Sequence, residues 1–458
     1  MKGISVCSLT FLIILAIPLV AVSVANEEPP INHPQNPNRN LFSEVEVQGD
    51  VPIPDDPTIV RTRLVNINFD LLGNTALPAK TVRLNLFDSV VFTAVFDRTE
   101  TNSLGSYAWI GHLEGIEFGQ AVLVVTHGLL AGSVSMPGAI YQIHSIGKGA
   151  QVIDEIDQST FPPEMDPIPV PPTEGNPFDD PEADDACNEI SVLVAYTPAA
   201  RAADGGTAAI EARIALAVSE TNQSYVNSGL TQRINLVHVM ETNPGDAANN
   251  FSADLSALQN TTDGIFDNVD AARETHYADM VGLIIENSSS CGLGYLNSTA
   301  GWAFSVTHRT CTTGYYSFGH ELGHNMSARH DWYIDNSLNS PYSYSKAFVY
   351  INDPTRWRTI MAYNSLCNDT SPNTYCTRLQ YWSNPNVFYG GISMGVQSDG
   401  PTNCVAGFTT PHPSTCAADN RMALNNTCSS VANFRQSPPT TPDKFPWILF
   451  YPAIMKGS

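Results

Sequence analysis

Short apolar runs alternate with turn-forming residues through the first third of the chain. Stretches such as "RTRLVNINFDLL", "TVRLNLFDSVVFTAVFD" and "QAVLVVTHGLLAGSVSM" are rich in β-branched and aromatic residues and are separated by Gly and Asn. Runs of this kind are typical of half-buried strands joined by turns. The pattern predicts a small antiparallel β domain from about residue 45 to 160, preceded by a loose Pro- and Asn-rich lead, and this domain contains no cluster of catalytic residue types.

The pattern changes near Cys187, where buried strands begin to alternate with apolar-periodic helices. "EISVLVAYTP" has the character of a buried strand, "GGTAAIEARIALAVSETNQSYVNSGL" that of a helix, and "RINLVHVME" and "DMVGLIIEN" those of two further strands. Alternating strands and helices predict a twisted sheet with helices packed on it. The predicted fold class is therefore α/β (α+β) with a mixed twisted sheet, in a domain spanning 187–436.

An acidic, proline-rich stretch separates these two predicted domains. Residues 161–186 are expected to form a spacer that does not pack. The wider stretch 149–186 carries eleven Asp and Glu and no Lys or Arg, so it supplies about half of the net charge of -23. This charge argues against nucleic acid or an anionic membrane as a partner.

Both chain ends carry apolar segments. Lys2 precedes an apolar run that ends in the small residues Ser23-Val24-Ala25. This order predicts a cleaved signal peptide at 1–25, and the alternative is an uncleaved anchor helix. The tail 437–458 is Pro-rich and then apolar, and is too short to span a bilayer. We therefore expect a secreted protein with no stable membrane insertion after the signal is removed.

Cysteine usage agrees with export. Outside the signal there are eight cysteines, which suggests four disulfides. Short separations favour three pairs, and elimination leaves the fourth: Cys291–Cys311, Cys367–Cys376, Cys404–Cys416 and Cys187–Cys428.

The chemistry of the chain is concentrated in "YYSFGHELGHNMSARHDW", which begins at Tyr315. On a helix, His320 and His324 lie one turn apart on the same face, so both imidazoles can bind one metal ion. Glu321 lies beside the first histidine, where it can take a proton from a metal-activated water without ligating the metal. His330 can complete the site only if the helix ends and the chain turns back. A core helix with two unrelated histidines is the weaker alternative for this spacing.

"HELGHNMSARHD" resembles the extended zinc signature of the metzincin metalloproteases, His-Glu-x-x-His-x-x-Gly-x-x-His. Asp331 after the third histidine is similar to the reprolysin/adamalysin branch, and "RTIMAY" resembles the Met-turn, with Met361 as its methionine. Flanking stretches such as "CGLGYL", "YWSNPNVFYGG" and "ADNRMALNNTCSSVANFR" extend the match to about 187–435. Together they look like bacterial secreted peptidyl-Asp metalloendopeptidases.

The resemblance implies a secreted zinc endopeptidase made as a zymogen, in which the β domain (26–160) is a propeptide. It implies one catalytic zinc held by His320, His324 and His330, with Glu321 as general base and Met361 beneath the metal. Structural calcium has no support in the sequence. The expected partners are protein or peptide substrates and the propeptide itself, and the expected state is a monomer.

The resemblance also implies where a substrate binds. "CGLGYL" would lie near the edge strand that pairs with an extended peptide, and the segment after Met361 would line the pocket for the residue following the scissile bond. The implied substrate-binding residues are Gly292, Leu293, Gly294, Tyr363 and Arg378. Ser327 departs from the signature, which has glycine there, and a serine at positive φ would cost about 1 kcal/mol of strain. We expect an active site with a slightly strained turn.

The positions of charged residues bear on how the zymogen is processed and on which peptides the enzyme cleaves. No Lys or Arg occurs between Lys148 and Arg201, which disfavours a trypsin-like convertase. Self-processing before aspartate is an alternative, and the candidate positions are Asp166, Asp179, Asp180, Asp184 and Asp185. An aspartate-binding pocket needs a cation, for which the candidates are Arg378, Arg356 and Arg358.

Three alternatives to this interpretation stay open in the sequence. Cys187 could be a thiolate that caps the zinc, as in some relatives, instead of a disulfide partner. The chain could be an exported binding or adhesion protein with a structural zinc site, although such a site has no need of Glu321. It could also be a zinc hydrolase of non-peptide amides, which the edge-strand motif disfavours.

Overall fold

The computed structural model describes residues 39–45, 56–171, 187, 189–338, 341–352, 354–371, 374–404, 407 and 412–436. The predicted signal peptide, the predicted tail and residues 172–186 of the predicted spacer lie outside these ranges. Within them, no helix has both the length and the apolar character needed to cross a membrane.

An antiparallel sheet of nine strands occupies the first part of the chain. Its strands are β1 (Phe42–Ser43), β2 (Ile59–Ile67), β3 (Thr81–Phe87), β4 (Val90–Thr101), β5 (Tyr107–Leu113), β6 (Gln120–Thr126), β7 (Leu129–Met136), β8 (Ala139–Gly147) and β9 (Ala150–Ile156). Their order is β1-β2-β9-β8-β7-β6-β5-β4-β3. The two ends of the sheet meet where the Leu41 N–H donates to the Arg83 carbonyl, so the sheet curls into a barrel. A core that includes Trp109 and Leu123 fills it, as the apolar runs predict.

A second, mixed sheet of six strands follows. Its strands are β10 (Ile168–Pro169), β11 (Glu189–Tyr196), β12 (Arg233–Glu241), β13 (Met280–Ile285), β14 (Gly292–Leu296) and β15 (Phe304–His308). Their order is β10-β14-β15-β13-β11-β12. β14 runs antiparallel to β15, while β11, β12, β13 and β15 are parallel. This mixed α+β architecture confirms the predicted fold class at that level.

Helices and short strands complete the second part. The helices are α1 (Pro198–Ala203), α2 (Thr207–Asn227), α3 (Phe251–Gln259), α4 (Asp267–His276), α5 (Ser317–Asn325), α6 (Ser365–Asn368) and α7 (Asn420–Val431). The short strands are β16 (Arg329–Asp331), β17 (Lys346–Ala347), β18 (Val349–Tyr350), β19 (Trp357–Arg358), β20 (Thr377–Arg378), β21 (Asn384–Tyr389) and β22 (Ile392–Met394).

The barrel packs on α2 of the second part. Small and branched side chains of β5, β6 and β7, such as Val122 and Val124, meet Ala212, Ala215 and Leu216 in one buried cluster. The small helix residues let the sheet approach closely, and burial of apolar area on both sides stabilises the contact. This packing explains why α2 is buried on nearly all sides along its middle.

Residues 163–170, called the crossing segment below, lead from the barrel across the second sheet. The expectation that the spacer does not pack is wrong for this segment, because it adds to the edge of β14. Proline lacks an N–H donor but keeps its carbonyl acceptor, so a Pro-rich segment is compatible with an edge position. The Pro-rich composition predicts an extended segment, but it does not reveal that β14 has an edge with which this segment can pair.

Four disulfides join the second part, and all four predicted pairs are confirmed. They are Cys187–Cys428, Cys291–Cys311, Cys367–Cys376 and Cys404–Cys416. The first ties the region before β11 to α7 across a sequence separation of 241 residues. Since Cys187 is bonded to Cys428, the alternative of a zinc-capping thiolate at that position is wrong.

Candidate active site

Three histidines converge at the C-terminal end of α5. The Nε2 atoms of His320 and His324 are 3.1 Å apart, and those of His320 and His330 are 3.2 Å apart. The third side of this triangle, His324 to His330, measures 3.0 Å. All three side chains are buried. The helix supplies two of them at i and i+4, as the sequence predicts, and β16 supplies the third.

Ser327 makes the turn that brings His330 back. It has φ of 68°, and the N–H groups around it close the helix by two bonds. The Ser327 N–H donates to the His324 carbonyl at 3.0 Å, and the Ala328 N–H donates to the Gly323 carbonyl at 2.9 Å. This pair of bonds is the Schellman motif, which places its left-handed residue where glycine is usual. The expectation of a strained but formed turn therefore agrees with the geometry.

Backbone carbonyls orient the imidazoles. His324 Nδ1 lies 2.8 Å from the Ala328 carbonyl oxygen, and His320 Nδ1 lies 3.0 Å from that of Ile360. An Nδ1–H that donates to these carbonyls leaves the Nε2 lone pair free. Burial lowers the pKa of His324 to about 3, and burial also holds the pKa values of His320 and His330 well below their usual range. All three rings are therefore neutral.

The geometry fits a zinc ion on these donors. Three neutral Nε2 atoms facing one another at about 3 Å have no proton to share, so a cation between them relieves the repulsion of their lone pairs. Tetrahedral zinc with N–Zn distances of about 2.0–2.1 Å places its ligand nitrogens about 3.3 Å apart, close to the observed triangle. Among the described residues, His320, His324 and His330 form one of two groupings whose ligand atoms lie within 4.8 Å.

Glu321 lies beside this triangle. Its Oε1 is 4.0 Å from His320 Nε2, and, apart from the neighbouring Glu164 carboxyl, no group among the described residues bonds to either carboxylate oxygen. Burial and the nearby Glu164 carboxylate raise the pKa of Glu321 well above its usual range. A buried carboxylate without a partner costs free energy, so a water or a substrate atom at this position would satisfy it.

Gly292 and Gly294 leave room for this carboxylate. A Cβ on Gly292 would lie 2.3 Å from Glu321 Oε1, and a Cβ on Gly294 would lie 3.0 Å from the Glu321 carbonyl oxygen. The glycines of "CGLGYL" thus let β14 pass directly over α5. Leu293 points away from that helix into the core packed with Tyr295 and Phe304. The structure therefore places all three predicted residues on β14, next to the edge strand β10, with Leu293 in the core behind it.

Met361, the methionine of the predicted Met-turn, lies against α5. Its side chain is fully buried, and its sulfur lies 3.3 Å from the position of a Cβ added to Gly323 in α5. Two residues later, the Tyr363 ring lies 4.2 Å from the His330 ring, centroid to centroid, and its hydroxyl has no partner in the described structure. Asp331 accepts the Tyr363 N–H at 2.9 Å, which ties the third histidine to this turn.

Of the three candidate arginines, Arg378 alone reaches the histidines. Its Nη2 lies 2.6 Å from His320 Nδ1, and its Nε donates to the Ile360 carbonyl at 2.8 Å. Arg356 and Arg358 instead hold the loop closed by Cys367–Cys376, through bonds to its backbone carbonyls. Zinc binding through Nε2 of His320 requires Nδ1 to keep its proton for Ile360, so the guanidinium must then act on another acceptor.

That acceptor is a residue that the sequence did not single out. Arg378 Nη1 donates to Glu164 Oε1 at 2.7 Å, and the Ser317 hydroxyl donates to the same oxygen at 2.6 Å. The Glu164 side chain is 3% exposed and that of Arg378 is not exposed at all. Glu164 also forms the second grouping of close ligand atoms, with His320 and Glu321. A pairing across this sequence distance leaves no local signal in the chain.

Known proteins resemble this chain over most of its length. Residues 186–375 match the model of metallopeptidase family M12. A peptidyl-Asp metalloendopeptidase of Stenotrophomonas maltophilia is 37% identical over 328 residues, which cover 69% of this chain and 71% of the relative. One of Xanthomonas campestris is 32% identical over 398 residues, 83% of this chain and 87% of the relative.

Among solved structures, metalloproteinase-II from Bacteroides fragilis covers 55% of this chain and 81% of its own at 11% identity, with a TM-score of 0.36. The sequence relatives confirm the predicted resemblance and leave the adhesion-protein alternative without support. M12 peptidases are zinc-dependent, and the histidine cluster matches that requirement. The chain belongs to the M12 metallopeptidases, in the group of peptidyl-Asp metalloendopeptidases, and is a zinc metalloendopeptidase.

Proposed function

We propose that the chain is secreted as a zymogen and hydrolyses peptide bonds with zinc held by His320, His324 and His330 and with Glu321 as general base. The observation that carries the proposal is the convergence of three buried, neutral Nε2 atoms beside a carboxylate to which no described residue other than Glu164 bonds. Zinc in such a site polarises a carbonyl and acidifies a water. A closed structural site would need a fourth protein ligand instead.

Other residues of the chain transfer the proton, orient the histidine rings and keep the site open. Glu321 accepts a proton during attack on the scissile carbonyl and passes it to the leaving amine. Ala328 and Ile360 hold two of the rings through their carbonyls, so that Nε2 faces the metal. Gly292 keeps the space above Glu321 open. Met361 is buried against Gly323 of α5.

The edge of β14 that faces away from β15 is the proposed substrate groove. A strand edge offers backbone N–H and C=O groups that bind an extended peptide independently of its sequence. Gly292, Leu293 and Gly294 supply this edge, next to Glu321. Tyr363 lines the opposite side, against His330.

We further propose a preference for aspartate after the scissile bond, read by Arg378. The two long relatives carry the name peptidyl-Asp metalloendopeptidase. Arg378 is buried beside His320 and already binds a carboxylate, that of Glu164. A buried guanidinium discriminates strongly for a carboxylate, because a neutral side chain would leave its charge uncompensated.

The proposed organisation keeps the divisions expected from the sequence. Residues 1–25 are the signal peptide, 26–160 the propeptide domain, 161–186 the spacer, 187–436 the protease domain and 437–458 a tail. The four disulfides suit an extracellular monomer. Self-processing before an aspartate of the spacer is the proposed route of activation.

A peptide library derived from a proteome tests this function. The processed protein should cleave it with aspartate enriched at the first position after the cut, and a chelator should abolish cleavage. Arg378→Gln should reduce the ratio of Asp to Asn cleavage by about tenfold or more, with zinc content measured in parallel as control. Chelator-resistant cleavage would refute the zinc mechanism, and an unchanged Asp to Asn ratio at full zinc content would refute the role of Arg378.

A further inference from the structure

The proposed substrate groove is already occupied by the chain itself. The crossing segment lies along β14 in parallel register, with Ile168 opposite Tyr295 and Pro169 opposite Leu296. Further up, the Met165 N–H donates to the Gly292 carbonyl at 3.0 Å. The backbone groups of β14 that would bind a peptide are thus used from Gly292 onward.

One carboxylate fixes this segment next to the histidines. Glu164 is the residue of the segment that reaches Arg378 and Ser317, and its buried side chain lies in the same grouping as His320 and Glu321. Asp166, two residues further along, is not buried in this way. The Asp166 side chain is 88% exposed and approaches His330 Nδ1 only to 3.8 Å. The segment therefore has one buried anchor and one exposed acidic residue two positions away.

The peptide bond before Glu164 is held in a position unsuited to attack. The carbonyl oxygen of Pro163 accepts the Cys291 N–H at 2.9 Å and the Ser290 hydroxyl at 2.5 Å. It is directed at the strand edge by these two bonds. An oxygen engaged in this way is not free to be polarised at the histidine cluster.

The barrel holds the start of the segment in place. Gln158, which follows β9, accepts the Arg378 N–H at 2.9 Å and donates to the Gly314 carbonyl at 3.0 Å. These bonds fix the chain on the second part a few residues before Glu164, while its continuity with β9 ties it to the barrel. This short tether keeps the local concentration of the segment high.

We propose that the crossing segment is an intramolecular pseudosubstrate that occupies the substrate groove, with the Glu164 carboxylate in the Arg378 pocket that receives the aspartate of a substrate. The inference rests on the proposed function, since it assigns an occupant to the same site. The segment blocks the groove until processing releases it. Displacement requires a competing carboxylate or loss of the barrel, because Arg378 is otherwise left buried with an uncompensated charge.

The full chain provides the first test, with Glu164→Gln and Glu164→Ala as variants. Glu114→Gln, at an exposed residue in the turn after β5, is the matched control. The initial rate of cleavage of an internally quenched Asp-containing peptide is measured while mass spectrometry verifies that the chain is intact. Both Glu164 variants should raise this rate by about tenfold or more, since a charge-assisted buried bond is lost. Glu114→Gln should stay within about twofold of the wild type.

A synthetic peptide of residues 161–171 provides a second test that does not depend on folding of a variant. It should inhibit the processed protein and be recovered uncleaved, and the same peptide with Glu164→Gln should inhibit about tenfold less. If the processed protein is active but neither the Glu164 variants nor the peptide changes the rate, the pseudosubstrate is overturned and the proposed function stands. If neither the intact nor the processed chain cleaves any peptide, both fall together.

Discussion

Replacing Ser327 with glycine should stabilise the protein. Ser327 adopts φ of 68° at the end of α5, a conformation that costs a residue with a Cβ about 1 kcal/mol. Its side chain is fully buried, and its hydroxyl has no partner in the described structure, which costs roughly 1–3 kcal/mol. Glycine removes both penalties.

Two opposing effects reduce the gain. Glycine loses about 0.5–1 kcal/mol through its greater freedom in the unfolded chain, and removal of one buried CH₂ loses about 0.8 kcal/mol. The balance is a stabilisation of about 1 kcal/mol. Strain of this size cannot change the barrier of the reaction by much more than about tenfold, so the activity of Ser327→Gly should remain well within a hundredfold of the wild type.

The assay is chemical unfolding of the zinc-loaded full chain in a Glu321→Ala background, which prevents self-cleavage. Ser327→Ala is the control, because alanine removes the hydroxyl but keeps the strained φ. The strain of about 1 kcal/mol that glycine relieves is offset by its greater freedom in the unfolded chain and by the lost CH₂. Glycine and alanine should therefore differ by less than about 1 kcal/mol, and the gain of alanine over serine measures the cost of the unpaired hydroxyl. A Ser327→Gly protein that unfolds at lower denaturant than the wild type would refute this account of the turn.

Three further predictions concern other parts of the structure. Gly292→Ala places a Cβ against the Glu321 carboxylate and should lower kcat/KM by about 10²-fold or more. The control is Gly301→Ala, whose Cβ meets no atom within 4 Å and which should leave kcat/KM unchanged. Equal losses of kcat/KM in the two variants would contradict the role of Gly292. Replacing both cysteines of Cys187–Cys428 with serine should lower the free energy of unfolding by about 5 kcal/mol. The same change at Cys367–Cys376 should lower it by about 2.5 kcal/mol, because Cys187–Cys428 closes the longer loop. Equal denaturant midpoints for the two variants would contradict this order. Burial raises the pKa of Glu220 from 4.5 to about 8, so the folded chain binds this proton more tightly than the unfolded chain. The resulting stability is present below about pH 4.5 and is lost as the pH rises toward 8. Glu220→Gln should remove this decline, and parallel pH profiles of wild type and variant would show that Glu220 does not cause it.

Much of the catalytic part follows from local pattern. The apolar run "EISVLVAYTP" becomes β11, the periodic stretch after Gly206 becomes α2, and "DMVGLIIEN" becomes β13. These elements are predictable because burial imposes a period of two or 3.6 on the sequence itself. The histidine triangle is predictable for a related reason, since i and i+4 spacing on one helix already places His320 and His324 together.

The occupied groove is not predictable in this way. Proline and acidic residues in 161–186 indicate an extended, solvated chain, and no sequence pattern near Glu164 predicts that its side chain pairs with a buried residue. Its pairing with Arg378 joins residues 214 positions apart, and the segment that carries it pairs with an edge of β14 that forms only in the folded sheet. The different environment of Arg378 compared with Arg356 and Arg358 is likewise a tertiary property, because it depends on contacts with residues distant in sequence, such as His320 and Glu164.

The central claim is that His320, His324 and His330 hold the zinc while Glu321 performs proton transfer. Zinc content and peptide turnover measured side by side on the wild type, Glu321→Gln and His324→Ala test it most directly. The account predicts about one zinc per chain for the wild type and Glu321→Gln, with turnover lowered by about 10²–10⁴-fold or more in the latter, and loss of both zinc and turnover in His324→Ala. Wild-type turnover by Glu321→Gln, or full zinc content without His324, would contradict it.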